Sequence, residues 1–465
     1  MTKEKSPEGF IKSTEGKETM RKIVRRAAIG MALLGLWGTG AFGQARPYPS
    51  GDLQKTYERL LKEIDKVPLY DNHAHPGYAD DSDVDAMASP PDESATLRLR
   101  DDNPEFVAGA KALFGYPYDD FKPEHAKWLA EKKSAAEKGG GTAYFNELLD
   151  KLHVDICLAN RAMMPAYLDT KRYRWVFFGD AFFYPFDNKE RAASTPDMGV
   201  YVPLQEKMLA RWKKQEGLEG LPADLNGYVE FVRKTMADNQ KRGGVAIKFE
   251  AAYFRSLYFS DPSRETAEVI YNKYRAGGVP APEEYRIFQD YIFRRITDES
   301  GKLHLPMHFH SAIGIGDYFS LHNGNVLNLE NVLRDARYKN VIFVLVHGGW
   351  PYEREAALLT AVKNVYLDTS FQTEMLYPSQ FKEVVKQLLT LFPDKMMYGS
   401  DAFPFNDALG AEESMWLAAR TTRTGLAAAL AELVEEGALS EAKALELARN
   451  YLHDNAARLY GEKKP

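Results

Sequence analysis

From residue 64 onward, short apolar runs rich in β-branched and aromatic residues alternate with longer stretches in which apolar positions recur every three or four residues. The first pattern predicts strands, the second amphipathic helices, and their alternation predicts parallel strands joined by helices. Eight runs read as strands: 67–73 (VPLYDNH), 154–160 (VDICLAN), 174–183 (RWVFFGDAFF), 244–250 (GVAIKFE), 303–310 (LHLPMHFH), 341–347 (VIFVLVH), 364–369 (NVYLDT) and 395–400 (KMMYGS). Helical patterns lie between them, at 225–241, 283–299, 326–338, 353–363 and 379–391, and a C-terminal pair covers 411–434 and 440–459. Eight such units over roughly 400 residues predict an α/β fold, a (β/α)8 TIM barrel. Helical insertions are expected at 76–150, after the first strand, and at 186–224, after the third. Both leave the C-terminal ends of strands, where barrels build pockets from loops. The longer insertion suits a lid over the mouth or a contact in a homo-oligomer equally well.

The N-terminus breaks this alternation. From Met20, "MRKIVRRAAIGMALLGLWGTGAFGQARP" has a basic start, an apolar middle and small residues before Arg46. That order is the grammar of a signal peptide. Residues 1–45 are therefore expected to be a leader, with Met20 an alternative initiator, and 46–465 the barrel domain. Arg25 and Arg26 allow a twin-arginine signal, and general secretion fits as well. Ala27–Gly43 is glycine-rich and short for a span, which favours cleavage over a membrane anchor. The expectation is an exported protein, periplasmic or secreted, with no stable membrane insertion after cleavage.

Composition narrows the function classes. A formal charge of −6 gives no electrostatic case for nucleic acid, which calls for a concentrated basic surface. A small-molecule substrate is the expected partner. Cys157 is the only cysteine, so an intramolecular disulfide is excluded, and its apolar setting predicts a buried thiol.

Candidate chemistry gathers at strand ends. On the first strand, alternation puts Asp71, His73 and His75 on one side. Lys248 and Glu250 end the fourth strand, His308 and His310 the fifth and His347 the sixth, and Asp401 follows the eighth. In a closed barrel these ends converge on one mouth. Three imidazoles and a carboxylate around an ion make a zinc-type site with a position left open for water or substrate.

At these residues the sequence resembles the amidohydrolase superfamily, and within it the amidohydrolase-related group (amidohydrolase 2). The motifs are "DNHAHP", "VAIKFEAAYFRS" (245–256), "LPMHFHSAIGIGD" (305–317), "VIFVLVHGGWPYEREAALL" (341–359), and "NVYLDTS" followed by "MMYGSDAFPF" (396–405). The last three look especially like the amidohydrolase-like domain that some proteins carry fused to a glutamine-synthetase-type enzyme. The resemblance implies that His73, His75, His310 and Asp401 bind one divalent metal ion, zinc before manganese or iron. His310 takes precedence over His308 because the family histidine precedes a small residue, here Ser311. The resemblance further implies that His347 and Asp401 are catalytic, His347 as acid/base or orienting group over the open position.

In binuclear relatives a lysine on the fourth strand is carbamylated and bridges two metals. Lys248 fits that position, and it fits an unmodified substrate contact or an ion pair with Glu250. Asp71 could accept a hydrogen bond behind a ligand histidine. Glu250, Arg255 and Trp350 are substrate-binding candidates, with Tyr253 beside them, Arg255 because a guanidinium can fork onto a carboxylate. His125, His153, His304, His322 and His453 have no strand-end position and read as structural. The implied activity is hydrolysis of an amide, ester or lactone-type bond of a small polar molecule. Decarboxylation of an aromatic or muconate-type acid at the same site is the alternative, and a non-catalytic barrel scaffold ranks last.

Overall fold

The computed structural model describes residues 50–461 apart from 79, 81, 83–95, 101, 140, 312–313 and 405–409. The leader and the choice of initiator lie outside the described residues. Eight parallel strands follow one another in chain order: β1 Leu69–Ala74, β2 Val154–Asn160, β3 Tyr173–Phe178, β4 Gly244–Phe249, β5 Met307–His310, β6 Phe343–Val346, β7 Val365–Asp368 and β8 Met396–Met397. Beyond β8 the chain runs on alongside β1. The Asn72 amide donates to the Tyr398 carbonyl (3.0 Å), that of Asp401 to His73 (2.7 Å) and that of His75 to Ala402 (2.7 Å). These bonds bridge the last gap in the ring, and the expected TIM barrel is the fold. Cys157 is buried, as its setting predicts.

Residues that alternation turns inward from six strands form the barrel's own apolar core, among them Tyr70, Leu158, Val176, Ala246, Val344 and Met397. A larger core lies outside, between strands and helices. Helices Pro104–Phe114, Pro123–Gly139 and Ala143–Leu152 fall between β1 and β2, and Pro196–Gln215 between β3 and β4. Leu225–Lys241 keeps its expected bounds because the Asp224 side chain caps it, accepting from the Gly227 amide.

Four local expectations are corrected. The strand expected at 303–310 begins only at Met307, because Leu303 closes a helix and His304 takes the left-handed cap position (φ 53°). The strand expected at 174–183 ends at Phe178 and passes into a 3-10 turn over Asp180–Phe183. The single helix expected at 326–338 is three short turns, with Asp335 accepting from the Arg337 amide and starting a new one. On β1, pairing steps from Asp71 opposite Cys157 to Ala74 opposite Ala159, so β1 carries one residue more than its partner there. This bulge ends the alternation on which Asp71, His73 and His75 were to share a face.

Candidate metal centre

The bulge lets Asn72 and His73 both reach into the barrel, while Asp71 turns aside. Asp71 accepts from the Ser400 amide (2.9 Å) and hydroxyl (2.6 Å) and from the His73 backbone amide (3.3 Å), and among the described residues these bonds involve no histidine ring. It pins the β8 end to β1, and burial pushes its pKa up to about 7 against these donors.

His73 Nε2 lies 3.0 Å and His75 Nε2 3.5 Å from Asp401 Oδ1. The three residues are buried, and their donor atoms all lie within 4.8 Å of one another. Burial, and then the charge of Lys248, hold His73 well below its ordinary pKa, so its imidazole is neutral and its one unprotonated ring nitrogen can donate to a cation. Two imidazoles and a carboxylate at this spacing fit a divalent ion of the zinc, manganese or iron type. Asp401, His347 and Phe371 all have positive φ, of 62°, 68° and 61°. Non-glycine residues there cost roughly 1 kcal/mol each, and such strain collects at functional sites.

His310 lines the same pocket but faces His347, whose Nε2 is 3.0 Å from His310 Nδ1. Behind it runs a buried chain. Ser370 Oγ donates to Asp368 Oδ1 (2.6 Å) and therefore accepts from His347 Nδ1 at 3.0 Å. That leaves His347 Nε2 as acceptor for His310 Nδ1–H, the tautomer in which His310 Nε2 is the unprotonated ring nitrogen. Burial pushes the Asp368 pKa up, while donors from Ser370, His347 and Asn72 hold its charged form. His347, expected over the open position, thus has both ring nitrogens engaged, and it orients His310.

Beneath this chain lies a second polar layer. Asn72 Nδ2 donates to Asp368 Oδ2 (2.6 Å), and Asn72 Oδ1 accepts from the Tyr460 hydroxyl (2.8 Å). His308 Nε2 lies 2.7 Å from the same hydroxyl. His308 is thus turned to the barrel floor and away from the metal donors. Burial and Lys248 push its pKa down to about 3.

Lys248 Nζ is 3.5 Å from His73 Nε2 and 3.7 Å from Glu250 Oε1, and both Lys248 and Glu250 line the pocket. Arg255 and Trp350 do not line it among the described residues. Trp350 is half-buried against the outer core. Arg255 is buried, and its guanidinium binds Asp290 Oδ1 (2.5 Å), Gln289 Oε1 (3.1 Å) and the Tyr258 carbonyl (2.8 Å). A fork already closed on Asp290 is not available to a substrate carboxylate. Arg255→Ala is accordingly expected to lower stability by about 3–5 kcal/mol, since it strands a buried carboxylate. Urea denaturation measures this, and a raised KM with unchanged stability would instead return Arg255 to the substrate.

The histidines read as structural have such settings where their partners are defined. His153 and His304 hold left-handed helix caps, His125 meets Asp120, and His453 sits between Asp155 and Asp454. Sequence reading missed most of the pocket wall. Tyr201, Leu204 and Gln205 of the helix Pro196–Gln215, with Phe254, Phe371 and Phe403, line the pocket beside the metal donors. The helix's phase toward the mouth is a tertiary fact, and its rings carry no motif.

The amidohydrolase family model matches residues 270–461. The protein fluG of Emericella nidulans is 30% identical over 157 residues, which are 33% of this chain and 17% of that protein. The chain thus spans less than a fifth of the length of that curated relative. Among solved structures, the glucuronate isomerase of Caulobacter crescentus aligns over 91% of this chain and 98% of its own, with a TM-score of 0.63 at 15% identity. A Lactobacillus casei protein assigned to the metal-dependent hydrolases aligns over 86% and 97%, with a TM-score of 0.57 at 18% identity. At these identities the likeness to the solved structures is one of fold. The matched residues supply His310, His347 and Asp401 at the mouth of the barrel, and over this C-terminal part the chain is similar to the amidohydrolase family.

Proposed function

We propose that the chain hydrolyses an amide, ester or lactone-type bond of a small molecule at one divalent ion, zinc before manganese or iron. His73, His75 and Asp401 would hold the ion, with His310 as fourth donor. The observation that carries this reading is the convergence of three buried donors on one point, from both ends of the strand order. An ion there supplies Lewis acidity, which polarises the scissile carbonyl and brings the pKa of a water molecule near 7.

The remaining work falls to side chains. Asp401 Oδ1 faces the two histidines, whereas Oδ2 points toward His347 at 3.7 Å. The outer oxygen takes the proton of the attacking water and returns it to the leaving group. Lys248 places positive charge beside the carbonyl oxygen as it becomes anionic. His347, held by Ser370 and Asp368, keeps His310 oriented through both steps.

Elemental analysis of the purified protein, with amide, ester and lactone panels run in ¹⁸O-water, tests the reading. One equivalent of metal and labelled carboxylate products are expected. Carbon dioxide release from aromatic acids without label uptake would replace it by the decarboxylase alternative, and two equivalents would make Lys248 a carbamate bridge. The leader adds a proposal of export, which fails if the chain from about residue 46 fractionates with the cytoplasm in its native host.

A further inference from the structure

Resting on the hydrolase reading above, we infer that the pocket selects a substrate with a flat apolar body, of the size of an aromatic ring, and at most one negative charge. The wall begins directly beside the reacting groups. The Tyr253 ring lies 4.6 Å from the His310 ring and 5.4 Å from Tyr201, and the Phe371 ring is 5.9 Å from His347. Leu204 completes this side from the helix Pro196–Gln215. Ring-lined slots favour offset or edge-on contact with a planar guest.

A polyhydroxylated guest needs a polar wall, and the polar groups here are few or engaged. The Tyr201 hydroxyl donates to the Ile315 carbonyl (3.2 Å), and the Tyr253 hydroxyl accepts from the Ile315 amide (3.4 Å). Gln205 is 1% exposed, and its side-chain carbonyl has no hydrogen-bond partner among the described residues. A buried acceptor of this kind is costly unless a guest satisfies it, and an N–H or O–H beside the scissile bond would do so.

Charge limits the guest further. Among the described residues lining the pocket, Lys248 is the only Lys or Arg, and Glu250 stands 3.7 Å from it. A second anionic group on the guest would find no further lysine or arginine among the described lining residues.

The test holds the metal-binding group constant and varies the body. Zinc-loaded protein is titrated by calorimetry with acetohydroxamate, benzohydroxamate and gluconohydroxamate. Benzohydroxamate is expected to bind about 10- to 100-fold more tightly than acetohydroxamate, and gluconohydroxamate no more tightly. Leu204→Asn, at a half-exposed position, and Tyr253→Ala should each cut the benzo-to-aceto affinity ratio several-fold. Equal affinities, a preference for gluconohydroxamate, or a ratio unchanged in both variants overturns the inference and leaves the metal site standing. Failure of all three ligands to bind overturns the metal site and the inference with it.

Discussion

Asp401→Asn is expected to lower kcat/KM by about 10³-fold or more and to leave the purified protein depleted of metal. The substitution is nearly isosteric, and asparagine tolerates left-handed backbone, so the φ of 62° at this position adds no new strain. What disappears is the negative charge that His73 Nε2 and His75 Nε2 face at 3.0 and 3.5 Å, together with the oxygen able to take up a proton. Elemental analysis and turnover on the same preparation check both losses. Metal retained with activity within about tenfold of the parent would remove Asp401 from the site.

Asp368→Ala is expected to destabilise the protein by about 3–5 kcal/mol. It deprives the Asn72 amide, the Ser370 hydroxyl and the backbone N–H groups of His347 and Ser370 of one buried acceptor. Chemical denaturation measures that loss, and a cost below about 1 kcal/mol would mean that the network is readily rehydrated. Ser370→Ala separates orientation from stability. It leaves Asp368 its other donors but removes the oxygen that His347 Nδ1 meets at 3.0 Å. Metal affinity, read by chelator competition, should fall about 10- to 100-fold, with a stability loss of about 1–3 kcal/mol, smaller than that of Asp368→Ala.

What was legible in the sequence was periodic, and what was not was tertiary. Strand runs announce themselves by apolar continuity, and in a barrel their ends must share a mouth. His73, His75, His310, His347 and Asp401 could therefore be grouped before any coordinate was known, and the structure brings them together. Asp71 left that group because one extra residue on β1 breaks a period of two, and nothing in "LYDNHAHPG" marks the bulge. His308 and His310 are indistinguishable by alternation; the resemblance favours His310, and the structure sets His308 against the Tyr460 hydroxyl and His310 against His347. Arg255 has the chemistry of an anion clamp, yet its partner Asp290 lies 35 residues away on a helix whose facing cannot be read locally. The ring-lined wall was the least legible part, since tyrosine and leucine at helical spacing are ordinary core residues until the fold aims them at a cavity.

The hydrogen bond between Tyr460 and Asn72 joins residues 388 apart in sequence. Contacts of such separation form late, because the chain must close its longest loop before the contact rewards it. The layer that braces Asp368, and through it His347 and His310, is therefore completed only as the ring of strands closes. A metal ion would arrive at a barrel already assembled. It would act on the kinetics of unfolding, slowing escape from the native state, and would leave the refolding rate nearly untouched.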